Sequence, residues 1–169
     1  HLKRDTDMSI NTLHSILQWS RLQMSEQTSQ KEPIKVDDAI NDLKQIFESS
    51  ARLKNIVLEF KNESNGVLWA DENQFRSIAT NLISNAIKFS PEGESVEVAI
   101  SETTENSVFT VSDKGKGFNP DLIRGSKDRN PNMSVEGTNG EKGTGIGLQI
   151  VKDFVEAHAD EYLAYVQES

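Results

Sequence analysis

Three side chains on one predicted helix have the spacing to act together. Asn81, Asn85 and Lys88 stand at i, i+4 and i+7 in the otherwise apolar stretch "NLISNAIKFSP". At 3.6 residues per turn they share a narrow arc of the helix surface. Amide oxygens can help to hold Mg²⁺, and a lysine ammonium meets a phosphate as a point charge. This helix alone is equally consistent with amides that bond to backbone and a lysine that extends to water.

A second candidate stretch is "SDKGKGF", in which Asp113 ends a predicted strand and Gly115 and Gly117 follow. A carboxylate there can accept a hydrogen bond from an exocyclic amine. The glycines would let backbone approach a flat ring closely, since they carry no side chain. The alternative interpretation is an ordinary turn begun by an aspartate.

The third stretch is "GEKGTGIGL", where Gly143, Gly145 and Gly147 precede and open a predicted helix. Free amides at a helix N-terminus bind anions, and glycines leave room for a polyphosphate. The stretch is neither a P-loop nor a Rossmann fingerprint, because it lacks the spacing of the first and the strand context of the second. The alternative is a flexible loop that closes onto a helix cap.

Apolar periodicity indicates which elements must position these residues. Period-3.6 patterns predict helices, and alternation predicts strands, most of them connected as hairpins. Together they predict an α+β sandwich with helices on one face of a sheet. Pro33 is expected to stop the first helix, and Asp37 or Asp38 is expected to cap the second. The predicted helices are about 1–30, Ala39–Ala51, 72–89 and Thr144–Ala159, and the strands are Asn55–Asn62, Val67–Ala70, Ser95–Ser101, Ser107–Asp113 and Leu163–Gln167.

The same periodicity predicts which faces are buried. In the second helix the inward residues are expected to be Ile40, Leu43, Ile46 and Phe47. Asp71 is expected to cap the third helix. Its apolar face is predicted to comprise Phe75, Ile78, Ala79, Leu82, Ala86 and Phe89.

Composition limits the partners. The 169 residues include 18 basic and 27 acidic ones, a formal net charge of −9. Phosphate backbones and membrane surfaces are bound through basic patches, so we expect neither nucleic acid nor direct membrane contact. The absence of cysteine excludes disulfides and thiolate metal sites. No stretch reaches the roughly 18 apolar residues of a membrane span.

Together, the three stretches resemble the GHKL ATP-binding superfamily. "NLISNAIKF" is similar to its N box, "DKGKGF" to its G1 box and "GTGIGL" to its G2 box, and the long loop before the G2 box is similar to the ATP lid. Within the superfamily, "EKGTGIGLQIVKDFVEAH" most resembles sensor histidine kinases. Upstream, "LHSILQWSRLQ" resembles the second helix of a kinase dimerisation hairpin.

The resemblance implies a role for each matching residue. Asn85 would ligate Mg²⁺, Asn81 would support the metal or the phosphates, and Lys88 would contact phosphate, which makes Asn81 and Lys88 the catalytic candidates. Phe89 would pack against adenine and Asp113 would bind its amino group. The pocket and lid positions implied are Gly115, Gly117, Lys142, Gly143, Thr144, Gly145 and Gly147.

The resemblance also implies an architecture and a setting. It is that of a two-layer α/β sandwich preceded by an N-terminal helix, with residues 1–30 as part of the dimerisation hairpin and 31–169 as a C-terminally truncated ATP-binding domain. ATP and Mg²⁺ would be the ligands. The phosphoacceptor helix, a response-regulator receiver domain and a second copy would be the partners. This region would lie in the cytoplasm as part of a longer protein, whose attachment to a membrane the sequence leaves open.

Four departures from the kinase pattern shape this expectation. The acceptor histidine should lie on a first hairpin helix, whereas His14 falls on the second, and His1 and His158 lack a matching context. Asn81 replaces the glutamate base that superfamily ATPases often carry. "HADEY" replaces the usual Gly-Gly, and the final glycine-rich hairpin and strand are missing. We therefore expect binding of ATP without autophosphorylation by these 169 residues alone.

Two other functions are compatible with the sequence. One is a degenerate kinase domain that serves as a scaffold or dimerisation module, which the missing strand and histidine favour and the intact boxes oppose. The other is a GHKL ATPase of the chaperone or topoisomerase kind, which Asn81 argues against. ATP turnover without a protein acceptor would distinguish the latter.

Overall fold

A computed structural model of the chain describes residues 30–104, 106–115, 117, 137–138 and 151. The predicted N-terminal helix, the helix over 144–159 and the last predicted strand lie outside these described ranges. The elements are β1 (Glu32–Lys35), α1 (Val36–Leu53), β2 (Val57–Glu63), β3 (Val67–Ala70), α2 (Glu72–Phe89), β4 (Ser95–Glu102) and β5 (Ser107–Ser112). Within the described ranges, neither helix has the length and apolar character to cross a membrane.

The strands form two sheets. β1 and β3 pair antiparallel, whereas β2, β4 and β5 form a three-stranded sheet in that order. β2 runs parallel to β4, with Val57 opposite Ser95, and β4 runs antiparallel to β5. Among the described strands, the predicted prevalence of hairpins is therefore wrong beyond β4–β5, because a short turn over 64–66 joins β2 to β3 but these two strands lie in different sheets. Parallel neighbours need a long crossover, and here the crossover contains β3 and α2.

Helix α1 begins earlier than its sequence predicts. Its N-cap is Lys35, which provides no side-chain cap, and Asp37 and Asp38 lie in the first turn instead. Acidic side chains there still stabilise the helix, because they interact favourably with the positive end of its dipole. Pro33 lies within strand β1, a position at a sheet edge that proline tolerates, and the helix that it was expected to stop lies outside the described residues.

One predicted inward residue of α1 points elsewhere. The buried side chains of this helix are Val36, Ile40, Leu43, Phe47 and Ala51. Ile46 is 46% exposed because it stands beside this stripe rather than on it. The prediction for Ile46 is therefore wrong, whereas those for the other three hold.

Helix α2 has the predicted cap and bounds. The carboxylate of Asp71 accepts a hydrogen bond from the Gln74 N–H at 3.1 Å. The buried residues of α2 are Gln74, Phe75, Ala79, Ile83, Ala86 and Ile87. The buried face is thus rotated from the predicted one, and Ile78, Leu82 and Phe89 are only half-buried. The ring of Phe75 also meets that of Phe109 edge to face, with centroids 5.3 Å apart, which joins α2 to β5.

The fully buried Ile83 provides a test of this packing. We expect Ile83→Ala to lower the free energy of unfolding by roughly 2–5 kcal/mol, because it removes buried methyl groups and leaves a cavity. Urea unfolding followed by circular dichroism measures the change. Ile46→Ala is the matched control, with an expected change within about 0.5 kcal/mol. Equal losses in the two variants would contradict the assigned faces.

Candidate functional site

The three polar residues singled out by spacing lie on one helix. Asn81, Asn85 and Lys88 are all half-buried on α2, next to its buried face. Each of these three side chains is therefore partly accessible to solvent. We call these three residues the polar flank of α2.

The amide of Asn81 has a defined orientation. Its Nδ2 donates to the carbonyl oxygen of Ser77 at 2.8 Å, one turn earlier. Only the amino group of an amide can donate, so this bond fixes Oδ1 on the other side of the side chain. The hydrogen bond to backbone that the alternative interpretation of this helix predicted is therefore present. It leaves the oxygen, which is the atom that a cation needs, as the remaining acceptor.

Asn85 differs from Asn81 in its contacts. Within the described part of the chain, its side chain makes no hydrogen bond or ion pair. Helix geometry places it one turn beyond Asn81 on the same flank. Both amide oxygens can therefore serve the same ligand.

Lys88 and Phe89 form a contact at the end of α2. The Lys88 ammonium lies over the Phe89 ring, 4.7 Å from its centroid. Attraction between a cation and a ring face orients both side chains. The alternative in which Lys88 simply extends into water is therefore not what the structure shows.

The Asp113 turn packs against this same end of α2. A Cβ atom at position 115 would lie 2.6 Å from Asp113 Oδ1, 2.8 Å from the Phe89 carbonyl oxygen and 3.2 Å from the Phe89 carbonyl carbon. Only glycine fits there without displacing backbone. The second candidate stretch is thereby brought beside the first.

Asp113 itself forms the turn and remains exposed. Its Oδ1 accepts from the Gly115 N–H at 2.7 Å. In the described ranges Oδ2 has no hydrogen-bond partner, so one carboxylate oxygen shapes the turn and the other is available to a ligand. The two interpretations of this aspartate, turn former and amine acceptor, are compatible.

Two residues at this end of α2 were not predicted from the sequence. Lys54, just after α1, is buried and donates to the carbonyl oxygens of Ile87 and Lys88. Asn55 has a φ of 53°, the left-handed conformation that ends α1, and its Nδ2 donates to Glu92 Oε1 at 2.7 Å. An asparagine after a helical pattern is a helix-stop signal that could have located Asn55. No local signal marks Lys54, whose partners are distant in sequence.

The turn after α2 also connects to the Asp113 turn. Lys114, next to Asp113, lies 3.6 Å from Glu94. The pair is partly exposed, so its contribution to stability is small. It nevertheless joins the segment that follows α2 to the segment that follows β5.

The donor set fits a magnesium nucleotide. Amide oxygens are neutral ligands for a cation that takes its remaining ligands from phosphates and water. α2 carries one acidic residue, Glu72 in its first turn, and it pairs with Arg76 at 3.0 Å. No carboxylate therefore stands on the polar flank to compete with a bound anion.

Of the remaining predicted site residues, Gly117 is described and the others are not. Gly117 is described and has a φ of 76°, a conformation that favours glycine. The G2-box and lid residues lie outside the described part of the chain, and their roles stay predictions. They are Lys142, Gly143, Thr144, Gly145 and Gly147.

Comparison with known proteins decides the family. A family model described as "Histidine kinase-, DNA gyrase B-, and HSP90-like ATPase" matches residues 70–168, more than half of the chain. The chain belongs to this ATPase family. The match contains the polar flank and the Asp113 turn, and it confirms the resemblance predicted from the three boxes.

Two similar curated proteins have kinase names. The chain is 34% identical to sensor histidine kinase TmoS of Ectopseudomonas mendocina over 66% of its own length and 12% of that protein. It is 28% identical to sporulation kinase A of Bacillus subtilis over 79% of its length and 21% of that protein. The chain thus spans about a fifth or less of these two relatives.

Two solved structures confirm the fold class. Full-length ShkA in complex with AMPPNP superposes with a TM-score of 0.71 at 24% identity, over 94% of this chain and 33% of that one. The nucleotide-free catalytic domain of ThkA gives a TM-score of 0.60 at 20% identity, over 75% and 80%. These likenesses show the fold, which is the predicted α+β sandwich of the ATP-binding type.

The close approach at Gly115 leads to a prediction. We expect Gly115→Ala to weaken binding of a non-hydrolysable ATP analogue at least about tenfold, because the added Cβ forces the Asp113 turn away from Phe89. Isothermal titration calorimetry measures the affinity. Gly66→Ala is the control: its φ of 96° makes alanine cost about 1–2 kcal/mol of stability, but no atom lies within 4 Å of the new Cβ. Unchanged affinity in Gly115→Ala would show that the contact does not shape the site.

Proposed function

We propose that this chain is the ATP-binding catalytic region of a sensor histidine kinase. The observation that carries the proposal is the packing of Gly115 on the Phe89 carbonyl. This packing places the exposed carboxylate of Asp113 beside the helix end that presents Lys88 and the polar flank. Membership of the ATPase family and the kinase names of the relatives support it.

The proposal gives each described residue a task. Asn85 would hold Mg²⁺ through its amide oxygen, Asn81 would support the metal through its oxygen or the phosphates through its second N–H, and Lys88 would contact phosphate. Asp113 Oδ2 would accept a hydrogen bond from the adenine amino group, and Phe89 would pack against the ring. When bound, Mg²⁺ supplies neutralisation of the triphosphate charge. The G2-box and lid residues would complete the phosphate site.

The reaction that we propose is phosphoryl transfer rather than hydrolysis. Glu72, the one acidic residue of α2, stands in the first turn, about 14 Å along the axis from Asn81 at 1.5 Å per residue. The polar flank therefore lacks a carboxylate to activate water, and transfer would proceed by positioning and charge neutralisation. The acceptor would be a histidine outside the 169 residues, and then an aspartate of a response regulator.

The wider setting is part of the same proposal. We infer that the intact protein dimerises through its helical hairpin and that this region works in the cytoplasm, where ATP is supplied. The related fold of ThkA has been solved in complex with the response regulator protein TrrA, at a TM-score of 0.58 and 18% identity. That pairing supports a receiver domain as the partner class here.

Asn85→Ala tests the cation site. We expect the variant to lose Mg²⁺-dependent binding of a non-hydrolysable ATP analogue, with an affinity loss of about a hundredfold, because an amide ligand to the metal is removed. Calorimetric titrations with and without Mg²⁺ measure it. Asn73→Ala, an exposed amide in the first turn of α2, is the control and should bind as the parent does. Parent-like binding by Asn85→Ala would remove the metal role, and no binding by the parent would favour the scaffold alternative.

Asp113→Asn tests base recognition. Asparagine retains the oxygen that accepts from Gly115, but it places a donor toward the adenine amino group, which is also a donor. We therefore expect ATP-analogue affinity to fall about tenfold or more, with inorganic triphosphate affected much less. Competition titrations compare the two ligands. Asp38→Asn, exposed in the first turn of α1, should change neither. Equal losses for both ligands would assign Asp113 to the turn alone.

A further inference from the structure

Lys54 is a buried lysine with an unusual position. Its residue exposure is 5%, and it follows the last turn of α1. Its ammonium donates to the carbonyl oxygen of Ile87 at 2.9 Å and to that of Lys88 at 2.6 Å. A buried cation is costly unless hydrogen bonds compensate it, and here backbone carbonyls are among its partners.

These two carbonyls belong to the last turn of α2. The last four carbonyl groups of any α-helix lack intrahelical donors. In α2 the Ser90 N–H satisfies that of Ala86, and Lys54 satisfies those of Ile87 and Lys88. The ammonium also complements the negative end of the helix dipole. Lys54 therefore fixes the final turn of α2 from outside the helix.

The turn that Lys54 fixes is the one on which the candidate site depends. Lys88 and Phe89 form their contact there, and Gly115 packs on the next carbonyl along, that of Phe89. The neighbouring Asn55 holds Glu92 in the segment that follows. Two consecutive residues at the end of α1 thus hold the end of α2 and the turn beyond it.

We propose that Lys54 is a positioning residue for the nucleotide site. It contacts the last-turn backbone and acts on the nucleotide through Lys88 and Phe89. By holding the carbonyls of Ile87 and Lys88, it sets the direction in which the Lys88 side chain leaves the helix and the place where Phe89 meets Gly115. This inference rests on the function proposed above.

The test compares nucleotide affinity among variants of the full 169-residue chain. Lys54→Met keeps the apolar stem and removes the donors, and we expect an affinity loss of about tenfold or more for the non-hydrolysable ATP analogue with Mg²⁺. Lys54→Arg retains a cation with several donors and should recover affinity to within about threefold of the parent. Arg52→Met, an exposed cation in the last turn of α1, should bind as the parent does.

A stability control separates positioning from general support of the fold. Leu43→Ala opens a cavity beneath α1, where Leu43 is 2% exposed, and it removes neither of the hydrogen bonds from Lys54 to the end of α2. Titrations are made well below the melting temperature of each variant. We expect Leu43→Ala to lower the melting temperature and leave affinity unchanged, whereas Lys54→Met should also shift the amide resonances of Phe89 and Gly115. If Lys54→Met does not fold, Lys54→Gln is measured against the same thresholds.

The outcomes distinguish the two proposals. If the parent binds nucleotide in an Asn85-dependent manner and Lys54→Met binds equally well, the positioning role is wrong and the kinase function stands. The role is also wrong if Leu43→Ala loses as much affinity as Lys54→Met, or if Lys54→Arg recovers nothing. If the parent binds no nucleotide, the proposed function fails and this inference fails with it.

Discussion

The backbone of Gly115 lies so close to the carbonyl of Phe89 that a single carbon atom would not fit between them. The rest of the site depends on this contact, because it joins a helix and a strand end that are separate in sequence. On one side of the contact is Phe89, the last residue of the helix that carries two amides and a lysine. On the other side is Gly115, in the turn that holds the exposed carboxylate of Asp113. Glycine is thus required by proximity, and its own backbone conformation is not the reason.

The last carbonyl groups of α2 are contacted by three other segments of the chain. They receive a main-chain amide from Ser90, an ammonium from Lys54 and the close packing of Gly115. Each contact comes from a different element, so the position of this turn is determined by α1, the segment after α2 and the segment after β5. A site built at such a junction responds to changes in residues that touch no ligand.

Features that depend on neighbouring residues were predictable from the sequence, whereas features that depend on contacts distant in sequence were not. Asp71 as a cap and the bounds of α2 follow from capping chemistry and apolar spacing, and the polar flank follows from helix geometry. The parallel pairing of β2 with β4 could not be read from either strand. Lys54 was missed for the same reason, since its carbonyl partners lie in another helix. Ile46 shows that a stripe one position too wide still fits a periodic pattern.

The parallel pairing of β2 with β4 has a consequence for how the molecule assembles. The polar flank belongs to the crossover between these two strands, so its surroundings are complete only when a pairing distant in sequence has formed. Loops of this kind are closed late and slowly, because their entropy is lost before their contacts are made. The helix that carries the candidate site is therefore part of the segment that this strand pairing closes into a loop.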